Sequence, residues 1–369
     1  MSTFPLEIGT TCDMHVHLRD GQMCDLVTPT VREGGINVAY IMPNLQPPVT
    51  TIKQVKEYKA KLEALSPKTK FLMSFYLNED ITPELLDEAK DYIHGIKVYP
   101  AGVTTNSKNG VDPTDFTPFY PVLEKMQQYG LVLNIHGENP HKEGSNTTVM
   151  SAEPEFLPVL ETLHNKFPTL KIVLEHSTTA AAINAVKKID SPYVAATITI
   201  HHLFLTIDDV VGSPLNFCKP VAKTYDDKRA LIETVLSGDS RFFLGTDSAP
   251  HIVCNKNKLL GCAAGVYVSK YCVQILAQFW KDNNGDWNNF KKFLSSNGLK
   301  FYGLEENELP QEKCYLVENK ITIENEITDN NGVSVIPFKA GEELDFDIEW
   351  KWKGKGKKII IKRIIYKQT

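Results

Sequence analysis

Short apolar runs alternate with longer stretches of helical pattern along almost the whole chain. The runs are rich in β-branched residues and are bounded by turn residues, which is typical of strands. This order predicts parallel βα units. The predicted strands cover residues 12–17, 37–42, 71–77, 95–99, 131–136, 172–176, 193–198 and 242–246. Because eight such strands close a (β/α)8 TIM barrel, we predict that α/β fold.

Helices are predicted between the strands, and two glycines mark helix ends. Gly130 and Gly238 stand where a C-terminal helix cap belongs. The helical stretches cover residues 51–65, 82–93, 116–130, 153–167, 179–189 and 226–238, with two more at 264–280 and 286–299. The helices thus complete the alternation that a barrel requires.

The end of the chain has a different character. Residues 351–369 carry eight Lys and Arg residues and no acidic residue. Alternating apolar residues from Leu344 to Trp352 predict a strand that leads into this segment. We assign residues 1–345 to the barrel domain and residues 346–369 to a basic C-terminal tail or edge strand. A polyanion-binding or membrane-binding module is the alternative, which deletion of the residues after Lys351 would test.

The composition is that of an ordinary globular protein, with 42% hydrophobic residues, 23% charged residues and a formal net charge of −5. The acidic balance makes nucleic acid a poor partner. Seven scattered cysteines without a CxxC pair indicate a reducing compartment. The first residues lack a signal-peptide pattern, and no apolar run approaches the length of a membrane span. We therefore predict a cytoplasmic protein that binds neither nucleic acid nor membrane.

Metal-binding and titratable residues end strand after strand. A lone histidine after an apolar run is more often structural, but the carboxyl ends of barrel strands converge on one face. Six such residues at strand ends therefore predict a site there. They are His15, His17, Lys97, His136, His176 and Asp247.

The His-Val-His triplet is the sharpest local signal. Residues i and i+2 of a strand point to the same side, so His15 and His17 can offer two imidazoles to one ion such as zinc. His136 and His176 could supply a second pair, and Asp247 offers a carboxylate that could deprotonate a metal-bound water. Lys97 is the exception, because dications repel an ammonium. Either it lies outside the site or it has lost its positive charge.

Six segments resemble the amidohydrolase superfamily and, within it, the single-domain dihydroorotases of bacteria and fungi. They occur in the family's order across roughly residues 8–345. The segments are DMHVHLRDG (13–21), IMPN (41–44), GIKVYPAG (95–102), HGE (136–138), EHSTT (175–179) and GTDSAPH (245–251).

The resemblance implies two Zn²⁺ per subunit, with all six strand-end residues as ligands. It places His15, His17 and Asp247 on the more buried ion. His136 and His176 would hold the other ion. Lys97 is implied to be N6-carboxylysine, a carbamate that bridges both ions together with a hydroxide, which resolves the electrostatic objection.

The resemblance also implies a substrate clasp and a reaction. In the clasp, Arg19, Asn44 and His251 hold the substrate carboxylate, with backbone groups near Lys219 and at Ala263 around the ring; the bacterial relatives have a leucine at the position of Lys219. Thr104 and Thr105 would lie on a flexible loop that closes over the substrate. The reaction is reversible cyclisation of N-carbamoyl-L-aspartate to L-dihydroorotate in pyrimidine biosynthesis, with Asp247 as general acid and base. Family members commonly form homodimers.

Two alternatives stay open. Another cyclic amidohydrolase, such as a dihydropyrimidinase, hydantoinase or allantoinase, would share the barrel and the metals but would need no carboxylate clasp. A non-catalytic scaffold relative would usually lack metal ligands. His201 and His202 are read as structural residues on opposite faces of a strand. Cys254 and Cys262 are read as buried small hydrophobic residues.

Overall fold

The computed structural model describes residues 3–258 and 260–352. Nine of its strands lie on the eight predicted runs, because one run is split in two, and the remaining strands lie at the two ends of the described chain. The strands are β1 (Leu6–Gly9), β2 (Cys12–Val16), β3 (Val38–Ile41), β4 (Lys70–Leu72), β5 (Ser74–Tyr76), β6 (Gly95–Val98), β7 (Val132–Ile135), β8 (Lys171–Leu174), β9 (Val194–Ile198), β10 (Phe242–Leu244), β11 (Glu312–Thr322), β12 (Ile327–Thr328), β13 (Ser334–Val335) and β14 (Glu343–Trp352).

Strands β2 to β10 form the barrel. β2, β3 and β4 pair in parallel, and β5 to β10 form a second parallel series in chain order. A parallel bridge between Val16 and Ser248 joins β2 to the segment after β10, and the amide of His17 donates to the Ser248 carbonyl over 3.0 Å. This closure brings the end of the first strand against the end of the last one, and the predicted (β/α)8 barrel is confirmed.

Helices cover the outside of the barrel. Gly130 and Gly238 cap two of them in the left-handed conformation, with φ of 66° and 75°, as predicted. The helices are α1 (Gly21–Glu33), α2 (Ile52–Leu65), α3 (Pro83–Ala89), α4 (Tyr120–Tyr129), α5 (Ala152–Lys166), α6 (Ala180–Ile189), α7 (Ile207–Gly212), α8 (Tyr225–Ser237), α9 (Val253–Lys256), α10 (Cys272–Asp282), α11 (Trp287–Lys291) and α12 (Asn297–Phe301).

Among the elements that differ from the sequence prediction are one strand and two helices. The run at 71–77 bends at Met73, so that its halves pair with different neighbours, β3 and β6. The helix predicted at 264–280 begins only at Cys272, because Val266 and Tyr267 form backbone bridges to Ser248 and Pro337. Helix α1 was not predicted; it begins with a glycine and contains Pro29, which obscure its helical pattern.

A small antiparallel sheet lies beside the barrel and joins the two ends of the described chain. Its order is β1, β11, β14, so β14 is the predicted edge strand. The boundary placed between residues 345 and 346 falls inside β14, and residues 353–369 of the basic tail lie outside the described residues. Among the described helices, none combines the length and apolar character needed to cross a bilayer.

Candidate metal centre

The six strand-end residues meet at the carboxyl face of the barrel. All six side chains are buried, which is unusual for charged and imidazole groups unless they are paired or bind a metal. His15 belongs to β2 and Lys97 to β6, whereas the other four follow their strands by one to three residues. The convergence that the pattern predicted is therefore present in the fold.

His15, His17 and Asp247 form one half of the centre. The Oδ1 atom of Asp247 lies 3.4 Å from His15 Nε2 and 3.0 Å from His17 Nε2. Ligand atoms of all three residues lie within 4.8 Å of one another. Burial alone would raise the pKa of Asp247, but its hydrogen bonds with the two imidazoles outweigh burial and hold that pKa well below its usual value. The three groups are thus arranged to share one cation.

His136 and His176 form the other half. His136 Nδ1 lies 3.1 Å from His176 Nε2, at the ends of the adjacent strands β7 and β8. Burial is the main cause that lowers the pKa of both imidazoles, so both are neutral at physiological pH. Neutral imidazole is the form that binds metal ions.

Lys97 is fully buried near these groups. Its ammonium contacts the Val98 carbonyl at 3.3 Å and lies 4.5 Å above the centre of the Tyr99 ring. Burial lowers the pKa of Lys97 to about 8, although Glu175 and Asp247 act in the opposite direction. Near neutral pH most of this side chain is still an ammonium, but the neutral, nucleophilic amine is far more populated than in an exposed lysine.

Acceptor groups fix one nitrogen of three of the imidazoles. His15 Nδ1 contacts Glu175 Oε2 at 2.8 Å, and His136 Nε2 contacts Glu138 Oε2 at 2.6 Å. His17 Nδ1 contacts the Asn44 side-chain oxygen at 2.8 Å. If a cation replaced the proton on the other nitrogen of each ring, the proton kept on these nitrogens would leave that other nitrogen's lone pair facing the centre.

The two carboxylates in this set are functional groups that the sequence reasoning missed. Glu175 precedes His176 and also accepts hydrogen bonds from Asn134 and Thr197, at 2.6 Å each. Glu138 lies two residues after His136. An acidic residue one or two positions from His176 and from His136 was the available signal. The partner of Glu175 could not be read from the sequence, because Glu175 contacts His15 rather than its neighbour.

The backbone of the centre is strained at three predicted site residues. Arg19, His176 and Asp247 have φ values of 60°, 39° and 45°, in a region that residues other than glycine rarely adopt. Such strain concentrates at functional sites, where the surrounding structure enforces it. Gly245 is needed for a different reason, since a Cβ there would lie 2.9 Å from the Cβ of His15. The turns after β2, β8 and β10 are thus shaped for the side chains they present.

A cavity opens above the metal-binding groups. Arg19 and Asn44, two of the three side chains predicted to hold the substrate carboxylate, line it, whereas His251 lines a neighbouring cavity. The Arg19 guanidinium donates to the Pro250 carbonyl over 3.1 Å and lies 3.2 Å from His251 Nε2. Burial, assisted by Arg19, lowers the pKa of His251 to about 3, so this imidazole is neutral. Among Arg19, Asn44 and His251, the positive charge is therefore on Arg19 alone.

The 103–110 loop covers this cavity. Thr104 and Thr105 both line it, and the Asn44 side-chain amide donates to the Thr105 carbonyl over 3.0 Å. Lys219 also lines the cavity, and its ammonium donates to the Val103 carbonyl over 2.6 Å. Asn44 and Lys219 thus hold the loop over the cavity by two side-chain hydrogen bonds.

Other predicted residues lie behind the cavity wall or away from it. Ala263 is not among the described residues that line the cavity; Ala264 and Gly265 are. His201 and His202 form a buried 3₁₀ turn, so their placement on a strand was wrong. Cys254 is exposed and Cys262 is half-buried, and the prediction that both are buried was therefore also wrong.

Comparison with known proteins gives the family. The chain is 50% identical over 358 residues to the dihydroorotase of Saccharomyces cerevisiae, covering 94% of this chain and 98% of that protein. The chain belongs to the dihydroorotase family. It is 45% identical to a probable dihydroorotase of Schizosaccharomyces pombe, over 94% of this chain and 99% of that protein. No protein-family profile matches the chain.

A solved structure extends the agreement to three dimensions. The S. cerevisiae dihydroorotase in complex with 5-fluoroorotic acid superposes with a TM-score of 0.92 at 49% identity, covering 94% of this chain and 99% of that one. The activity of the chain is accordingly that of a dihydroorotase, a cyclic amide hydrolase that interconverts N-carbamoyl-L-aspartate and L-dihydroorotate in pyrimidine biosynthesis. This activity excludes the alternative of a non-catalytic scaffold. It also decides against the alternative of a hydantoinase or other cyclic amidohydrolase.

Proposed function

We propose that the centre holds two zinc ions and that Lys97 bridges them as N6-carboxylysine. His15, His17 and Asp247 would bind one ion, and His136 and His176 the other. The observation that carries the proposal is the set of converging imidazole nitrogens with a buried carboxylate, a donor set that suits zinc.

The electrostatics support a cation at this point. Burial alone would lower the pKa of His15, but Glu175 and Asp247 outweigh it and raise that pKa to about 9. The same negative field that retains a proton on His15 would stabilise a dication in its place. Reaction of the neutral Lys97 amine with CO₂ forms an N–C bond and releases a proton, leaving an anionic carbamate where an ammonium would be repelled.

Asp247 is proposed as the general acid and base. Bound metal would supply polarisation of the ring carbonyl and activation of water. Because its pKa is low, Asp247 is ionised at neutral pH and can accept the proton of the attacking water. In ring opening it passes that proton to the leaving ring nitrogen. In ring closure it accepts a proton from the ureido nitrogen and returns it to the departing water.

Arg19, Asn44 and His251 are proposed to hold the substrate carboxylate at the other end of the cavity. A guanidinium fork suits a carboxylate, and the orotate analogue bound by the yeast relative carries one. The chain's backbone near Lys219 and at residues 263–265 would surround the ring, with Thr104 and Thr105 closing the loop over it. A neutral dihydropyrimidine offers no group for this clasp, which favours dihydroorotate as the substrate.

The quaternary state and location complete the proposal. We propose a cytoplasmic homodimer whose small-molecule partners are N-carbamoyl-L-aspartate and L-dihydroorotate. The barrel would carry the complete site, and the whole of β14, which the predicted boundary after residue 345 divides, would lie outside that site. All the proposed site residues fall within the barrel domain, which supports this division.

One experiment tests the central proposal. The purified chain is stripped of metal, reconstituted with zinc in the presence or absence of bicarbonate, and assayed for cyclisation of N-carbamoyl-L-aspartate and for bound zinc. We expect two zinc ions per chain and full activity only with bicarbonate. One zinc ion, or reconstitution that is indifferent to bicarbonate, would contradict the bridged centre. Robust hydrolysis of hydantoin or dihydrouracil would contradict the proposed clasp.

A further inference from the structure

Lys256 is a buried cation that the reaction scheme does not use. It is the last residue of α9, five residues after His251, and its side chain is 5% exposed. Burial lowers its pKa. Long flexible cations are rarely this buried unless their charge is paired or fully hydrogen-bonded. A buried lysine does not serve to keep the surface soluble, so the burial of Lys256 needs another explanation.

Three backbone carbonyls surround the Lys256 ammonium. It donates to Phe217 and Ala263, at 2.9 Å each, and to Gly265 at 2.8 Å. An ammonium has three N–H donors, so this set satisfies it completely. Within residues 3–258 and 260–352, no carboxylate forms an ion pair with it. All three N–H donors of Lys256 are therefore hydrogen-bonded, but no carboxylate among the described residues neutralises its positive charge.

The three carbonyls belong to two segments that wall the substrate cavity. Phe217 lies two residues before Lys219, and Gly265 itself lines the cavity. The Gly265 amide also donates to the Phe217 carbonyl over 2.9 Å, so the two segments meet beneath the ammonium. The fit is tight, because a Cβ at Gly265 would lie 2.3 Å from the Ala249 carbonyl. Lys256 therefore joins both wall segments through hydrogen bonds from one ammonium group.

The same segment continues to the proposed carboxylate clasp. The Ala264 carbonyl, between two of the bonded residues, lies 2.9 Å from His251 Nε2. His251 in turn lies 3.2 Å from the Arg19 guanidinium. A shift of the 263–265 backbone would therefore displace His251, and through it Arg19, while the metal-binding residues on the barrel strands would stay in place.

We propose that Lys256 is a positioning residue that holds the carboxylate-binding end of the cavity in its substrate-ready geometry. Its three hydrogen bonds fix both backbone walls, and its uncompensated charge favours an anionic substrate at that end. The inference rests on the proposed function, since it assumes that the substrate carboxylate lies beside Arg19. The role is distinct from catalysis, because the ammonium contacts only backbone.

The test compares Lys256→Met with Lys258→Met, which removes the same charge from an exposed position two residues away. For Lys256→Met we expect KM for N-carbamoyl-L-aspartate to rise about tenfold or more, the scale of losing hydrogen bonds from a charged donor. Its kcat should change less than about threefold, and bound zinc should stay as in the parent. Lys258→Met should match the parent in all three measurements.

A rescue experiment separates positioning from general destabilisation. Lys256→Ala leaves space for a small amine, so propylammonium chloride should lower its KM toward the parent value. Tetramethylammonium chloride at equal ionic strength has no N–H donors and should not. The variant can be purified in propylammonium and then exchanged, which keeps the test available if Lys256→Met does not fold. Equal KM in the two salts would overturn the proposal.

Two further outcomes are decisive. A fall in kcat together with zinc loss in Lys256→Met would show a merely structural role. Arg19→Lys is measured in parallel to separate the two proposals. If KM rises in Arg19→Lys but not in Lys256→Met, the role of Lys256 is wrong and the clasp stands. If KM is unchanged in Arg19→Lys, the clasp itself is wrong.

Discussion

The side chains of His17 and Asp247 meet at 3.0 Å although 230 residues separate them along the chain. His17 follows the first barrel strand and Asp247 follows the last, and the Val16–Ser248 bridge joins those two strand ends. Closure of the barrel therefore assembles the metal centre directly. Residues that bind one ion need not be near in sequence when the strands that carry them are neighbours in the barrel.

Asp247→Asn tests the proton transfer. An amide keeps an oxygen for metal but cannot accept and return a proton, so we expect kcat to fall by about 10²–10⁴-fold, the usual contribution of general acid–base catalysis. Zinc content should be largely retained. Steady-state kinetics in both directions and metal counting measure this. Near-normal turnover would remove Asp247 from the proton-transfer step.

Arg19→Lys tests the carboxylate clasp. Lysine keeps the charge but cannot form the bidentate fork, so KM should rise by about tenfold or more while kcat changes little. Arg229→Lys, on an exposed helix position, is the matched control and should be indistinguishable from the parent. A change confined to kcat would argue against a role in binding.

Reconstitution should depend on pH through Lys97. Carbamate forms from the neutral amine, and burial lowers the pKa of Lys97 to about 8. At constant dissolved CO₂ and zinc, the rate of reactivation should therefore rise as pH increases through about 8 and level off above it. Lys97→Arg, which keeps the charge but cannot be carboxylated, should not reactivate at any pH. A flat profile for the parent would exclude this chemistry.

Glu175→Gln tests the support of His15. Loss of the carboxylate weakens the contact that orients the His15 ring, and such changes typically lower metal affinity about 10–100-fold. Glu153→Gln is a stringent control, because Glu153 is equally buried but bonds to Thr178 rather than to a histidine. Competition with a chelator gives zinc affinity, and thermal unfolding gives stability. Equal losses of affinity in both variants would show a nonspecific effect.

Thr104→Val tests the loop. The Thr104 hydroxyl is buried, lines the cavity and has no hydrogen-bond partner among the described residues, so a bound substrate could supply one. Removing the hydroxyl while keeping the shape should lower kcat/KM by about tenfold, and Thr104→Ser should retain most activity. The comparison is made with saturating zinc. Loss in the serine variant as large as in the valine variant would show that the hydroxyl is not used.

The sequence was sufficient for the architecture and the ligand types. Alternation of strand and helix patterns predicts a parallel barrel, and the ends of parallel strands converge, so His15 and Asp247 could be brought together without coordinates. The wrong predictions concerned the bounds and presence of single elements. The helix at 264–280 began late because backbone bridges to distant segments replaced its first turns, and periodicity does not report such pairings.

Only the tertiary structure decided which residues are hydrogen-bond partners of one another. Glu175 supports His15, from 160 residues away, rather than the histidine beside it, and Lys256 bonds to carbonyls of two separate loops. The residue types at the strand ends follow from the groups that metal binding requires, and they can be identified in the sequence. Hydrogen-bond partners are chosen by which strands and loops become neighbours, and backbone acceptors have no sequence signature at all.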